Sequence, residues 1–348
     1  MAYTTVDKSS SVFKTLLYVG NGSDAHSITG VGFKPDFVWT KNRTSATDNY
    51  IHDIVRGVQN AIRTNNTSAT YATSINLQSF DADGFTLGTQ DGLNQNGNNI
   101  VSWNFLAGGS QGSSNTAGSI NTDYTSVNTS SGFSISQFTG TGSNATVGHG
   151  LGVAPSLVIT KSLVATQEWC VGMDALGWGN YIFLNESSAQ GSSSNYWQST
   201  APDENVFSIG TAGPTNSSSS MIAYCFAQKP GFSKFGKYYG NSDDNGPFVH
   251  CGFKPAMIIL KETGSTSAWF MIDNARGDYG GNPNNRFLRP NTSDAETNSV
   301  WHKIDFLSNG FKIKDDDADI NDAAYNYLYM AFAESPFVAS NNIPNLAR

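Results

Sequence analysis

The sequence predicts an all-β protein, a tandem array of three homologous β-sandwich or jelly-roll-like modules. Three observations predict it. The same landmarks recur three times in register, the apolar runs are short and punctuated by Gly, Asn, Asp or Pro, and the residues that fill exposed helix surfaces are scarce. Hydrophobic residues make up 38% and aromatic residues 12%, enough to bury a core, while charged residues reach only 14% and Ser, Thr, Asn and Gly take the polar places. At 348 residues the chain exceeds what one hydrophobic core usually organises, so two or three domains are expected.

The repeat is read in order along each copy. Gly20, Gly140 and Gly240 open it, and twelve residues later come Gly32-Phe33-Lys34-Pro35, Gly152-Val153-Ala154-Pro155 and Gly252-Phe253-Lys254-Pro255. Each Pro precedes an apolar strand that needs no N–H at its start: Phe37-Val38-Trp39, Leu157-Val158-Ile159 and Met257-Ile258-Ile259-Leu260. Each strand runs to a lysine, Lys41, Lys161 or Lys261, and farther on Gly57, Gly177 and Gly277 keep the same offsets. A stretch from Ile51 to Arg63 has the composition for a short helix. Turn residues then lead to an aromatic, in Asp83-Gly84-Phe85, Glu204-Asn205-Val206-Phe207 and Ser308-Asn309-Gly310-Phe311. Each copy closes on an aromatic strand: Trp103-Asn104-Phe105-Leu106, Tyr224-Cys225-Phe226-Ala227 and Tyr327-Leu328-Tyr329-Met330-Ala331-Phe332. The expected organisation is an N-terminal arm (1–11), module 1 (12–109), a Gly/Ser/Thr-rich linker (110–131), module 2 (132–231), module 3 (232–338) and a C-terminal tail (339–348).

Charge and cysteine usage narrow the function classes. A net charge of -8 without a Lys/Arg cluster argues against an electrostatic grip on nucleic acid. Cys170, Cys225 and Cys251 show no metal-ligand spacing and read as buried thiols. The opening lacks the basic and apolar regions of a classical secretion signal, and no apolar run approaches a membrane span, so no membrane insertion is expected.

Candidate chemistry is sparse. The repeated lysines would suit ligand or anion contacts, but the expected role is a strand end whose ammonium reaches water. Asp53-Ile54-Val55-Arg56 and Asp273-Asn274-Ala275-Arg276 read as local ion pairs fixing a turn, and the second copy, Asp174-Ala175-Leu176-Gly177, lacks the arginine. Asp81, Asp83 and the run Asp315, Asp316, Asp317, Asp319 and Asp322 raise calcium, although Ile320 and Asn326 stand where an EF-hand requires Gly and Glu. His26, His52, His149, His250 and His302 fall in no catalytic or metal spacing, and no GxSxG elbow appears. The glycine-rich stretches Gly20-Asn21-Gly22 and Gly140-Thr141-Gly142 read as turns. Trp169, Trp178, Tyr196, Trp197, Trp269 and Trp301 would stack on sugar rings if exposed, though most aromatics in a sandwich are core. No catalytic, cofactor-binding or metal-ligating set is assigned, no cofactor is expected, and the chain reads as a non-enzyme.

Two segments carry a family resemblance: Gly30-Val31-Gly32-Phe33-Lys34-Pro35-Asp36-Phe37-Val38-Trp39-Thr40-Lys41-Asn42-Arg43 and Ser79-Phe80-Asp81-Ala82-Asp83-Gly84-Phe85-Thr86-Leu87-Gly88. With the opening Met1-Ala2-Tyr3-Thr4-Thr5-Val6-Asp7-Lys8 and the ending Asn341-Asn342-Ile343-Pro344-Asn345-Leu346-Ala347-Arg348, they resemble a repeat family of marine bacteriophages. The resemblance implies a virion structural protein, a tail or tail-fibre component in host attachment, with a capsid decoration protein or a glycan depolymerase as alternatives. A depolymerase would need a cleft with two carboxylates about 5 to 9 Å apart. The implied partners are other virion proteins, further copies of the chain in a homo-oligomer such as a trimer, and host-surface glycan.

Overall fold

The structure is a computed structural model that describes residues 4–277 and 281–336. The expected C-terminal tail and the first three residues lie outside the described residues. Among the described residues the regular secondary structure is nearly all strand, and no helix exceeds one turn. The first segment contains β1 (Phe13–Val19), β2 (His26–Thr29), β3 (Phe37–Asn42), β4 (Tyr50–Asp53), β5 (Asn60–Arg63), β6 (Tyr71–Ala72), β7 (Leu77–Asp81), β8 (Gly84–Leu87), the single turn α1 (Asp91–Asn94) and β9 (Asn99–Phe105). The second contains β10 (Thr122–Asn128), β11 (Phe133–Thr139), β12 (Ala145–Gly148), β13 (Leu157–Ser162), β14 (Cys170–Met173), β15 (Asn180–Phe183), β16 (Gly191–Ser192), α2 (Ser194–Trp197), β17 (Val206–Ile209), α3 (Gly213–Asn216) and β18 (Ser220–Phe226). The third contains β19 (Ser233–Tyr239), β20 (Phe248–His250), β21 (Phe253–Glu262), β22 (Trp269–Asp273), β23 (Arg286–Phe287), β24 (Thr297–Asn298), β25 (Ile304–Leu307), β26 (Gly310–Ile313), α4 (Ala318–Asn321) and β27 (Asn326–Pro336).

One antiparallel order runs through all three segments. The first large sheet reads β1-β9-β3-β4, the second β11-β18-β13-β14 and the third β19-β27-β21-β22, each with a smaller sheet (β2-β8-β7, β12-β17 or β20-β26-β25). Side chains alternate across the large sheets as the two-residue strand period requires. Phe37 and Trp39 of β3 belong to the central core while Val38 between them belongs to an outer cluster with Ile28, Leu77 and Phe85. In β13, Leu157 and Ile159 point to the centre and Val158 to an outer cluster with Phe207 and Ile209.

The three segments do not fold as separate sandwiches. One continuous core takes residues from all of them, and the closing aromatics of β9, β18 and β27 meet there. Ring centroids are 5.9 Å apart for Phe105 and Phe226, 4.9 Å for Phe105 and Phe332, and 5.7 Å for Phe226 and Phe332. All three pairs are edge-on, the arrangement that aromatic quadrupoles favour. Beside them lies an all-apolar cavity of about 30 Å³ lined by Phe37, Leu157 and Met257 among others. With no polar lining atom a water would gain no hydrogen bonds there.

Four expectations change. Residues 110–131 are not a linker, because β10 adds an edge strand to the second large sheet and Ile120 bridges to Val147. The stretch from Ile51 to Arg63 is not helical: it forms the β4–β5 hairpin, whose turn is made by Asp53 accepting the N–H groups of Val55 and Arg56. The N-terminal arm is packed, with Val6 in the core and the Thr5 hydroxyl donating to the Ser130 carbonyl at 2.8 Å. Pro35 and Pro155 precede their strands as expected, whereas Pro255 lies inside β21, at an irregularity in its ladder to β27.

Gly20, Gly140 and Gly240 are explained by close approach. A Cβ on them would strike the carbonyls of Gln95, Ser217 and Asp322, which lie just after α1, α3 and α4. The last residue of each of those turns is a buried asparagine that holds the approaching loop. Asn94, Asn216 and Asn321 accept the N–H of Asn21 (2.9 Å), Thr141 (2.7 Å) and Asn241 (2.8 Å). Their amides donate to the carbonyls of Gly88, Gly210 and Asp315. This asparagine trio was not singled out in the sequence, since the three residues have dissimilar neighbours.

Candidate functional site at the module seams

The repeated lysines are buried, contrary to the expectation that they reach water. Each ammonium crosses to a neighbouring module. Lys161 donates to the carbonyls of Thr67 (3.1 Å, module 1) and Ser162 (3.0 Å), Lys261 to those of Ser187 (3.2 Å, module 2) and Glu262 (2.7 Å), and Lys41 to those of Ser293 (2.9 Å, module 3) and Thr47. Module 2 thus holds module 1, module 3 holds module 2, and module 1 holds module 3. The cycle is closed. Burial pushes the three lysines down to about 8, because removing an ammonium from water disfavours its charge.

A second cycle runs parallel to it. The indole N–H of Trp169 donates to the Arg63 carbonyl at 2.8 Å and that of Trp269 to the Phe183 carbonyl at 2.9 Å, while the Asn49 amide reaches the carbonyls of Arg289 and Thr292. Asn49, Trp169 and Trp269 occupy equivalent positions after the repeated lysines, so two of the candidate sugar-stacking aromatics are seam bonds instead. Trp178 and Trp197 are buried in the module 2 cluster and Tyr196 stacks on Tyr181 at 3.6 Å. Trp301 is 61% exposed.

The Asp–Arg pairs are local ion pairs that also serve the seams. Arg56 Nε lies 2.6 Å from Asp53 and Arg276 Nε 2.7 Å from Asp273, all four side chains being almost fully buried. The same Asp53 oxygen, Oδ2, also accepts the Tyr224 hydroxyl of module 2 at 2.7 Å, and Asp273 Oδ2 likewise accepts the Trp103 indole N–H of module 1 at 3.0 Å. Glu296 then gathers Arg43, Arg276 and Arg286. Burial raises its pKa, but the Arg43 and Arg276 guanidinium groups prevail and hold it below its ordinary value.

The seam between modules 2 and 3 is built differently. Met173 stands where the others have the aspartate, Leu176 where they have the arginine, and Met330 where they have Trp103 and Tyr224, all within the core. Two open grooves run along this seam. One, of about 430 Å³, is lined by Leu176, Gln190, Lys237, Thr263, Tyr325 and Asn326. The other, of about 540 Å³, is lined by Asn185, Glu186, Ser188, Arg289, Asn291 and Thr292. Asn185 and Asn291 each use the side-chain oxygen on the backbone N–H of Trp169 or Trp269, and Arg289 pairs with Asp294 at 3.4 Å; their amide N–H groups and the guanidinium are donors of the kind that hydrogen-bond a polyhydroxylated ligand.

The remaining candidates scatter. Asp81 accepts the hydroxyls of Ser79 and Thr86, and Asp83 accepts the N–H groups of Gly30 and Gly32, so both fix turns. His26 bonds Asn94 at 2.7 Å, and His149 accepts from Leu151 N–H. His52 lies in the interior, where burial pushes it down to about 3 and keeps it neutral, and His250 is exposed. Cys170, Cys225 and Cys251 are free and buried, and burial raises each thiol pKa. Of the acidic run, Asp317 and Asp319 lie beside His302. No helix among the described residues is long and apolar enough to cross a membrane.

Neither the curated proteins nor the solved structures contain a match to the chain. One family model spans nearly all of it, matching residues 8–336 across the three segments and both closed cycles of seam bonds. The chain therefore belongs to the family described as a domain of unknown function (DUF7483).

Proposed function

We propose that the chain is a non-enzymatic virion structural protein of a bacteriophage, a tail or tail-fibre component in host attachment that takes host-surface glycan along the seam of modules 2 and 3. The resemblance read in the sequence supports the virion setting. One structural observation carries the rest: the repeated lysines, the buried Asp–Arg pairs and two of the tryptophans spend their hydrogen bonds locking modules together, while polar groups face open space at the one seam where the Asp–Arg pair is replaced. A ring closed by buried bonds resists local opening, which suits a surface component exposed to proteases. The proposal includes association with other virion proteins and self-association into a cyclic oligomer, with apolar surface such as Val300 and Trp301, 64% and 61% exposed, as area for assembly to cover.

Immunogold electron microscopy of intact particles, with antibody against the recombinant chain, tests the setting. Gold on tail tips or fibres supports attachment, gold over the head moves the role to capsid decoration, and unlabelled particles sink the virion reading. Glycan-array binding that weakens in Arg289→Ala and Asn291→Ala supports the groove. Shortening of host polysaccharide by the pure chain would replace binding with depolymerisation.

A further inference from the structure

The turn before β25 and the turn at α4 bring one imidazole and two carboxylates together. His302 Nε2 lies 3.5 Å from Asp317 Oδ1 and 3.5 Å from Asp319 Oδ2, and the three ligand atoms all lie within 4.8 Å of one another. The His302 side chain is 9% exposed and its Nε2 is buried without a hydrogen-bond partner. An unsatisfied buried polar atom costs about 1–3 kcal/mol and calls for a partner.

The ring cannot turn away to find one. It packs against Phe270, with centroids 4.9 Å apart, and Phe287, at 4.8 Å, and its Nδ1 is bonded to the Ser299 hydroxyl at 2.9 Å. Asp319 is oriented in the same way, its other oxygen accepting the Ser267 hydroxyl at 3.0 Å, and Asp317 accepts the Asp319 N–H at 2.9 Å. Such outer contacts orient metal ligands.

We propose that His302, Asp317 and Asp319 bind one divalent first-row transition-metal ion, with zinc as its representative. The spacing fits. A separation of 3.5 Å is long for an N–H···O bond, whereas two ligands each about 2.0–2.1 Å from a tetrahedral ion stand roughly 3.3–3.5 Å apart. An imidazole nitrogen with two carboxylate oxygens suits zinc or its neighbours, while calcium takes 6–8 oxygens at longer range. Asp317 and Asp319 are partly exposed, which leaves an entry path and room for water to complete the shell. The ion would tie the turn before β25 to α4, closing the base of the β25–β26 hairpin.

The test is calorimetric titration of the full chain with zinc chloride, with cobalt(II) absorption as an independent readout. One zinc ion per chain is expected, with at least tenfold weaker binding in Asp319→Asn and in His302→Phe, which keeps the ring stack, and no change in the surface control Asp123→Asn. Zinc should raise the Tm of the parent chain and leave that of Asp319→Asn unmoved. Absence of saturable zinc binding overturns the proposal. Undiminished binding in Asp319→Asn, or ready displacement of zinc by calcium, overturns it as well.

Discussion

Replacing Phe226 by alanine tests whether the three segments share one core. Phe226 is 8% exposed, stacks on Phe133 at 4.5 Å and meets Phe105 and Phe332 edge-on. A buried aromatic removes roughly 150–200 Å² from water, and at about 25 cal/mol per Å² its loss costs about 4–5 kcal/mol. That agrees with the 3–5 kcal/mol typical of Phe→Ala in cores. The neighbouring cavity of about 30 Å³ would enlarge, and the two remaining phenylalanines, one from each other module, would lose contacts. Because the ring touches all three modules, the whole chain should destabilise as one unit. Urea unfolding followed by far-ultraviolet circular dichroism and by tryptophan fluorescence should give coincident single transitions in both proteins, with the midpoint lower in the variant. A melt with several phases of which one moves would refute the shared core.

Three further outcomes follow from the seams. Lys161→Met removes an ammonium whose folded pKa is pushed down to about 8 from 10.5, so between those values the unfolded state binds more protons and stability attributable to the lysine rises with pH. The stability of the parent relative to Lys161→Met should therefore grow by about 3 kcal/mol from pH 7 to 10.5 by urea titration, and a constant difference would mean the lysine is solvated. Arg276→Leu leaves Asp273 buried and unpaired and should cost about 3–5 kcal/mol; adding Asp273→Met, which copies Met173 and Leu176 of module 2, should recover part of that loss. Removing residues 1–131 strips Phe105 and the carbonyls that Lys161 and Trp169 use, so the remainder should be molten or insoluble. A soluble fragment with a sharp thermal transition would contradict this.

The departure of module 2 from the repeat has a compensated structure. The polar triplets Asp53–Arg56–Tyr224 and Asp273–Arg276–Trp103 have as their counterpart Met173, Leu176 and Met330 at equivalent positions. Exchanging all members together avoids the penalty of leaving a single buried charge, which is why the change appears as a set.

The sequence by itself determined the strand class, the threefold recurrence of its landmarks and the turns. Those follow from local chemistry: alternating apolar residues, glycines where another backbone passes close, and carboxylates that cap their own turns, as Asp53 and Asp83 do. Tertiary structure alone decided what the repeated side chains do. Lys41, Lys161 and Lys261 end their strands as lysines at a sheet edge do, and the same sequence is compatible with ammonium groups in water. Their acceptors, Ser293, Thr67 and Ser187, lie 252, 94 and 74 residues away, on whichever module closes over them. Burial is a property of what covers a residue, and no periodicity within one module records it. For the same reason Asp317 and Asp319 read as a solvated acidic run until His302, packed against two phenylalanines, is placed beside them.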